Sequence, residues 1–176
     1  ICAQEWSKTA LPTLRVPSNG AATDGVHIFL PAGANNDGDL QNMSIYNTEN
    51  QTWETVALQE NRGSGATVVS GDRLYIGGGV TRSGLISSVE IYSTSTNELL
   101  ATAELSQARF GLSAAAAGDK VLFAGGIVGG GSVQSVSDRV DIYDRATDTW
   151  TSTSFSEARA FMATAGVDDK IYFAGG

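Results

Sequence analysis

The chain has 176 residues, of which 17% are charged, and a formal net charge of -8. Such a surface repels phosphate backbones and acidic membranes, which weighs against nucleic acid as a partner. The 21 glycines and 3 prolines, in a background rich in Ser, Thr, Ala and Val, suit short strands and turns, and no apolar run is long enough for a membrane-spanning helix.

The chain opens on ICAQEWSKTA, which has no basic n-region and no long apolar stretch and so does not read as a signal peptide. Cys2 is the single cysteine, so no internal disulfide forms. Sequons stand at Asn42 and Asn50 and matter only in a eukaryotic secretory setting. The first strand predicted is the one holding Trp6. Nine residues on comes Arg15, then small residues, then a short apolar run ending at Pro31-Ala32.

From there the order repeats. A strand ending at Tyr46 is followed seven residues later by Trp53, then by Arg62, and sixteen residues after that by Gly78-Gly79. The next copy runs Tyr92, Leu99, Arg109, Gly125-Gly126, and the next Tyr143, Trp150, Arg159, Gly175-Gly176. The spacing from the aromatic slot to the arginine is nine residues three times and ten from Leu99. Markers recurring at near-constant offsets over periods of 47 to 50 residues identify a repeat architecture.

Each period divides into four strands. After the arginine comes a small-residue strand, as in GLSAAAAG. An apolar strand follows and ends in the glycine pair, then an Ile-Tyr strand, a polar turn and the strand holding the Trp. Runs this short, with turn residues between them, read as antiparallel hairpins. Four strands in nearly fifty residues read as a propeller blade. The small residues then belong nearest the axis, where strands crowd. Runs such as LFAGG lie between neighbouring blades, and the Tyr and Trp rings fill the wider wedge outside.

The glycine pair, the Tyr-Asp strand end, a Thr and a Trp together resemble the Kelch motif. The copy with Gly125, Gly126, Tyr143, Asp144, Thr147 and Trp150 matches best. The resemblance implies an all-β fold: a Kelch-like β-propeller of four-stranded antiparallel blades over residues 1–176. Residues 1–31 close one blade and start the next, and 32–78, 79–125 and 126–176 are successive periods. Counting four strands per period gives an incomplete ring of about 3.75 blades. Further blades of the same propeller are expected from sequence beyond this segment, since such rings usually close with about six or seven.

His27 is the one histidine; it sits in the second-strand slot held elsewhere by Leu74, Val121 and Ile171, and reads as a core or inter-blade residue. No metal site or cofactor is expected. In NNDGDL, cation-ligand types fall at Asn35, Asp37 and Asp39, but Leu40 and Tyr46 stand where a calcium loop needs Gly and Glu, so it reads as a polar turn. The glycine clusters lack phosphate-loop spacing. Arg15, Arg62, Arg109 and Arg159 recur once per blade, which points to a structural task such as holding carbonyls or a carboxylate. In related Kelch adaptor propellers the partner-binding arginines stand two residues further on. Here those positions are Pro17, Ser64, Gly111 and Phe161, so that specificity does not carry over.

The expected function is a scaffold binding a protein or a glycan through its loop rim, with Asn35, Asn36, Arg82 and Phe161 as contacts. The alternative is part of a propeller enzyme acting on sugars, resembling sialic acid epimerases. The acidic, Ser/Thr-rich surface leans towards an exported protein.

Overall fold

Alternation of buried and exposed side chains, broken by glycine turns, builds every element as a strand. The computed structural model describes residues 8–13, 20–35, 38–39, 41–130 and 133–176. Trp6, Arg15, Pro17 and Asn36 lie outside the described residues, as do the side chain of Asn35 and the first predicted strand. In chain order the strands are β1 (Ala22–Thr23), β2 (His27–Pro31), β3 (Ala34–Asn35), β4 (Gly38–Asp39), β5 (Asn42–Asn47) and β6 (Thr52–Ala57). Then come β7 (Ala66–Ser70), β8 (Arg73–Gly77), β9 (Val80–Thr81), β10 (Gly84–Leu85), β11 (Ser88–Ser93) and β12 (Leu99–Glu104). β13 (Ser113–Ala117), β14 (Lys120–Ala124), β15 (Ile127–Gly130), β16 (Val133–Val136), β17 (Arg139–Asp144), β18 (Thr149–Ser154), β19 (Ala163–Val167) and β20 (Lys170–Ala174) complete them.

Three antiparallel four-stranded sheets result, in the orders β1-β2-β5-β6, β7-β8-β11-β12 and β13-β14-β17-β18, and β19 pairs with β20. The small-residue strands β1, β7, β13 and β19 lie side by side, β7 against β1 and β13, and β13 against β19. They are therefore the axial strands of four consecutive blades. The segments after the glycine pairs, expected as loops, instead form two-stranded ribbons, β3-β4, β9-β10 and β15-β16. β10 packs on β15, so neighbouring ribbons support each other.

The second strand of each blade is sandwiched. On one face of β8, Tyr75 joins Phe123 and Tyr143 of the next blade; on the other, Leu74 and Ile76 join Phe29 and Met43 of the preceding one. Each side chain so buried contributes about 1.5–3 kcal/mol. Outside, Tyr143 stacks on Trp150 at 5.0 Å, and Tyr46 meets Trp53 at a tilt, 4.8 Å away. The ten-residue spacing after Leu99 has a local cause. Ile91 pairs with Ala101 but Tyr92 with Leu99, so Leu100 is bulged out and the ladder keeps its register.

The glycine pairs exist because the next blade's arginine backbone sits against them. Gly78 has φ of 62°, and a Cβ there would lie 2.7 Å from the Arg109 carbonyl oxygen; at Gly125 it would lie 2.2 Å from that of Arg159. In the first blade the pair was expected at Pro31-Ala32, and that assignment is corrected by one residue. Pro31 ends β2, while Ala32 (φ 51°) and Gly33 (φ 111°) take the left-handed slots. The Ala32 N–H donates to the Asn42 carbonyl, as the Gly78 N–H does to Ser88 and the Gly125 N–H to Arg139.

His27 is a second departure. It lies at the start of β2, away from the glycine end, with 29% of its side chain exposed. Its Nδ1 is 3.0 Å from Asp24 Oδ2 and its Nε2 is 3.2 Å from Asn47 Nδ2. It belongs to a polar turn rather than to the core.

Candidate functional site

The rim carrying the glycine pairs, ribbons and arginine loops is stitched from blade to blade. Gly79 N–H donates to the Arg109 carbonyl and Gly126 N–H to that of Arg159, both at 2.8 Å. Nearer the axis, Gly111 N–H donates to the Ser64 carbonyl at 2.7 Å and Phe161 N–H to the Gly111 carbonyl at 2.8 Å. Ser64, Gly111 and Phe161 thus occupy equivalent places at the channel mouth, with φ of 55°, 62° and 54°.

Phe161 pays most for this conformation, since a bulky residue with left-handed φ is strained by about 1–2 kcal/mol. Its side chain is nevertheless 65% exposed. The ring lies over Gly111, where a Cβ would come within 2.7 Å of it, and meets Phe110 edge-on at 6.3 Å. Beneath it opens a concavity of about 360 Å³ lined by Ser64, Thr67, Gly111, Leu112, Phe161, Met162, small residues of β7, β13 and β19, and Gly20 and Ala21 just before β1. Ser113 Oγ donates to the Met162 carbonyl and Thr164 Oγ1 to that of Ala114, whereas Thr67 Oγ1 is buried without a hydrogen-bond partner.

The arginines face away from this opening. Arg62 is fully buried. Its Nη1 donates to the carbonyls of Gly78 and Ser88 at 3.0 and 2.8 Å, and its Nη2 to Glu90 Oε1 at 2.6 Å. Glu90 also accepts the N–H groups of Gln59 and Glu60 and the Tyr92 hydroxyl, tying the preceding blade's last loop to this blade. Burial, aided by the hydrogen bond to Glu90, pushes the Tyr92 phenol well above its ordinary value. Arg109 repeats the arrangement, with Nη2 donating to Asp141 Oδ2 at 2.7 Å and to the Phe123 carbonyl at 3.1 Å. Asp141 accepts the Ser106 N–H across the blade boundary. Desolvation lowers the Arg109 pKa, and Asp141 opposes that shift. Arg159 is 41% exposed and meets Glu157 and the Gly175 carbonyl.

The carboxylates were not among the sequence-derived candidates. Their signal was present two residues before the strand-end tyrosine, as Glu90-Ile91-Tyr92 and Asp141-Ile142-Tyr143. In the first blade the same slot holds Ser44.

Of the candidate contacts with described side chains, Arg82 and Phe161 border different concavities. Arg82 is exposed at the tip of β9-β10, beside a separate concavity of about 410 Å³ shared with Gln41, Gln59, Glu60 and Asn61. Asn35 is on β3, at the same rim, and of the two candidates with described side chains Phe161 lines the channel mouth while Arg82 does not.

Two comparisons with known proteins bear on this geometry. The Kelch motif matches residues 61–98 and 108–154. The first match stops just before Leu99 and the bulge, and the second runs through Trp150. Kelch-like protein 41a of Danio rerio is 30% identical over 108 residues, which are 60% of this chain and 18% of that protein.

Proposed function

Because this chain belongs to the Kelch-repeat family, we propose that it is a propeller scaffold that binds a partner protein at the channel mouth. The observation that carries this reading is Phe161: strained, exposed, and held by a blade-to-blade hydrogen bond at the mouth end of the axial strands. The ring rests on Gly111 and the edge of Phe110 yet leaves most of its surface to solvent, and strained outliers of this kind cluster at binding sites. The rigid blades below and the varied ribbons around the mouth are the division of labour expected of a recognition surface. A photo-crosslinking residue at position 161 tests the proposal against one at Asp169, in the turn at the opposite rim. Partner adducts formed from 161 and absent from 169 support it; equal labelling refutes it.

We propose further that these blades are an arc of a larger ring. On β20 and β19, Tyr172 and Val167 are each 55% exposed, whereas the corresponding Leu122 and Ala117 of the preceding blade are half-buried. An uncovered apolar blade face invites association. Light scattering on the 176-residue chain is expected to show oligomers, and a chain extended at both ends to be a monomer. A monodisperse 18.3 kDa species with one sharp melting transition would refute the larger ring.

A further inference from the structure

We infer that the channel mouth takes an uncharged apolar side chain presented by the partner protein, packed against Phe161; this rests on the reading of the mouth as the binding site. Three observations converge on that chemistry.

First, among the described residues no ionisable side chain lines the concavity. The arginines nearest to it, Arg62 and Arg109, are turned outward and closed by Glu90 and Asp141. A charged group entering here would lose its hydration with no counter-charge to replace it, a large cost. Second, the larger side chains at the mouth are apolar: the exposed Phe161 ring, Phe110 edge-on behind it, and Leu112 and Met162 in the wall. An aromatic platform over a small pocket is the usual seat of an interface anchor. Third, the polar groups of the mouth are largely spent. The Ser64 and Gly111 carbonyls accept blade-to-blade bonds, and the Ser113 and Thr164 hydroxyls donate to carbonyls. Thr67 Oγ1 is buried and presents nothing to the opening. A sugar carries a hydroxyl on nearly every carbon and would find too few partners, which favours a peptide over a glycan.

The experiment pans a random displayed peptide library, and in parallel a glycan array, against the full-length protein. The wild type is compared with Phe161→Ala, with Thr67→Phe as a plug, and with Arg82→Ala beside the neighbouring concavity. Each variant is first checked by circular dichroism. The expected result is a set of peptides sharing one apolar anchor, whose affinity falls at least about tenfold in Phe161→Ala and which are excluded by Thr67→Phe but unaffected by Arg82→Ala. Peptides anchored by an acidic or basic residue yet still dependent on Phe161 would overturn the inferred chemistry while leaving the mouth as the site. Peptides indifferent to both mouth variants would overturn the site itself. Glycans bound in a Phe161-dependent way, or no enrichment in either format, would also overturn the inference.

Discussion

KVLFAGG at Lys120 to Gly126 and KIYFAGG at Lys170 to Gly176 are nearly one phrase, yet they live in different environments. In the first, Val121, Phe123 and Ala124 are fully buried between blades, and the arginine sixteen residues before Gly125 closes on a buried carboxylate. In the second, Ile171 and Phe173 are half-buried, Tyr172 is exposed, and Arg159 meets only exposed Glu157 and a carbonyl. The difference teaches that the phrase encodes a strand suited to a sandwich, while the burial comes from neighbours. Phe173 still finds one ring, Phe155, edge-on at 5.2 Å.

The sharpest way to break the comparison is through the arginines. Arg109→Met strands the Asp141 carboxylate, and Arg62→Met strands Glu90; each is expected to cost about 3–5 kcal/mol, the penalty for an uncompensated buried charge. Arg159→Met, at an exposed pair, is expected to cost no more than about 1 kcal/mol. Urea midpoints decide it, and three equal shifts would mean that burial does not separate the blades.

Truncating the paired aromatics comes next. Phe123→Ala removes a ring from the blade-to-blade core and is expected to cost about 3–5 kcal/mol, with Phe173→Ala costing clearly less. The same denaturation series measures both, and an equal loss would show that the second sheet is covered in solution.

Overpacking the axis is a smaller probe. Ala115 is buried at 5% exposure, and Ala115→Leu is expected to cost about 1–3 kcal/mol. Ala165→Leu, at the matching place on exposed β19, is expected to be nearly neutral. A neutral Ala115→Leu would remove β13 from the axis.

The smallest effect is alkaline. Because the folded Tyr92 phenol is raised above the ordinary 10.0, its contribution to stability is fully present below pH 10 and is lost as pH rises beyond it. Thermal melting from neutral pH upwards is expected to show a decline above pH 10 that is shallower in Tyr92→Phe; an unchanged slope would place the titrating group elsewhere.

Much of this molecule was legible in its spacing. A strand's period of two, the glycine at a left-handed turn and the aromatic slot are local properties, so repeating markers specified four-stranded blades, their order, and the small-residue strand at the axis. Even the extra residue after Leu99 was visible as a changed interval, and only its place in the ladder, as the Leu100 bulge, needed the pairing partner. The shift from Pro31-Ala32 to Ala32-Gly33 was not legible, because the slot is defined by a hydrogen bond to Asn42 and by the chain packed against it. The partners Glu90 and Asp141 stand 28 and 32 residues from their arginines, a distance over which no local preference operates. The ribbons after the glycine pairs, the separation of Arg82 from Phe161, and the exposure of that ring at the mouth were likewise decided by tertiary structure. Each depends on which blade lies beside which, and sequence spacing sets the parts of a blade without setting what its neighbour presents to it.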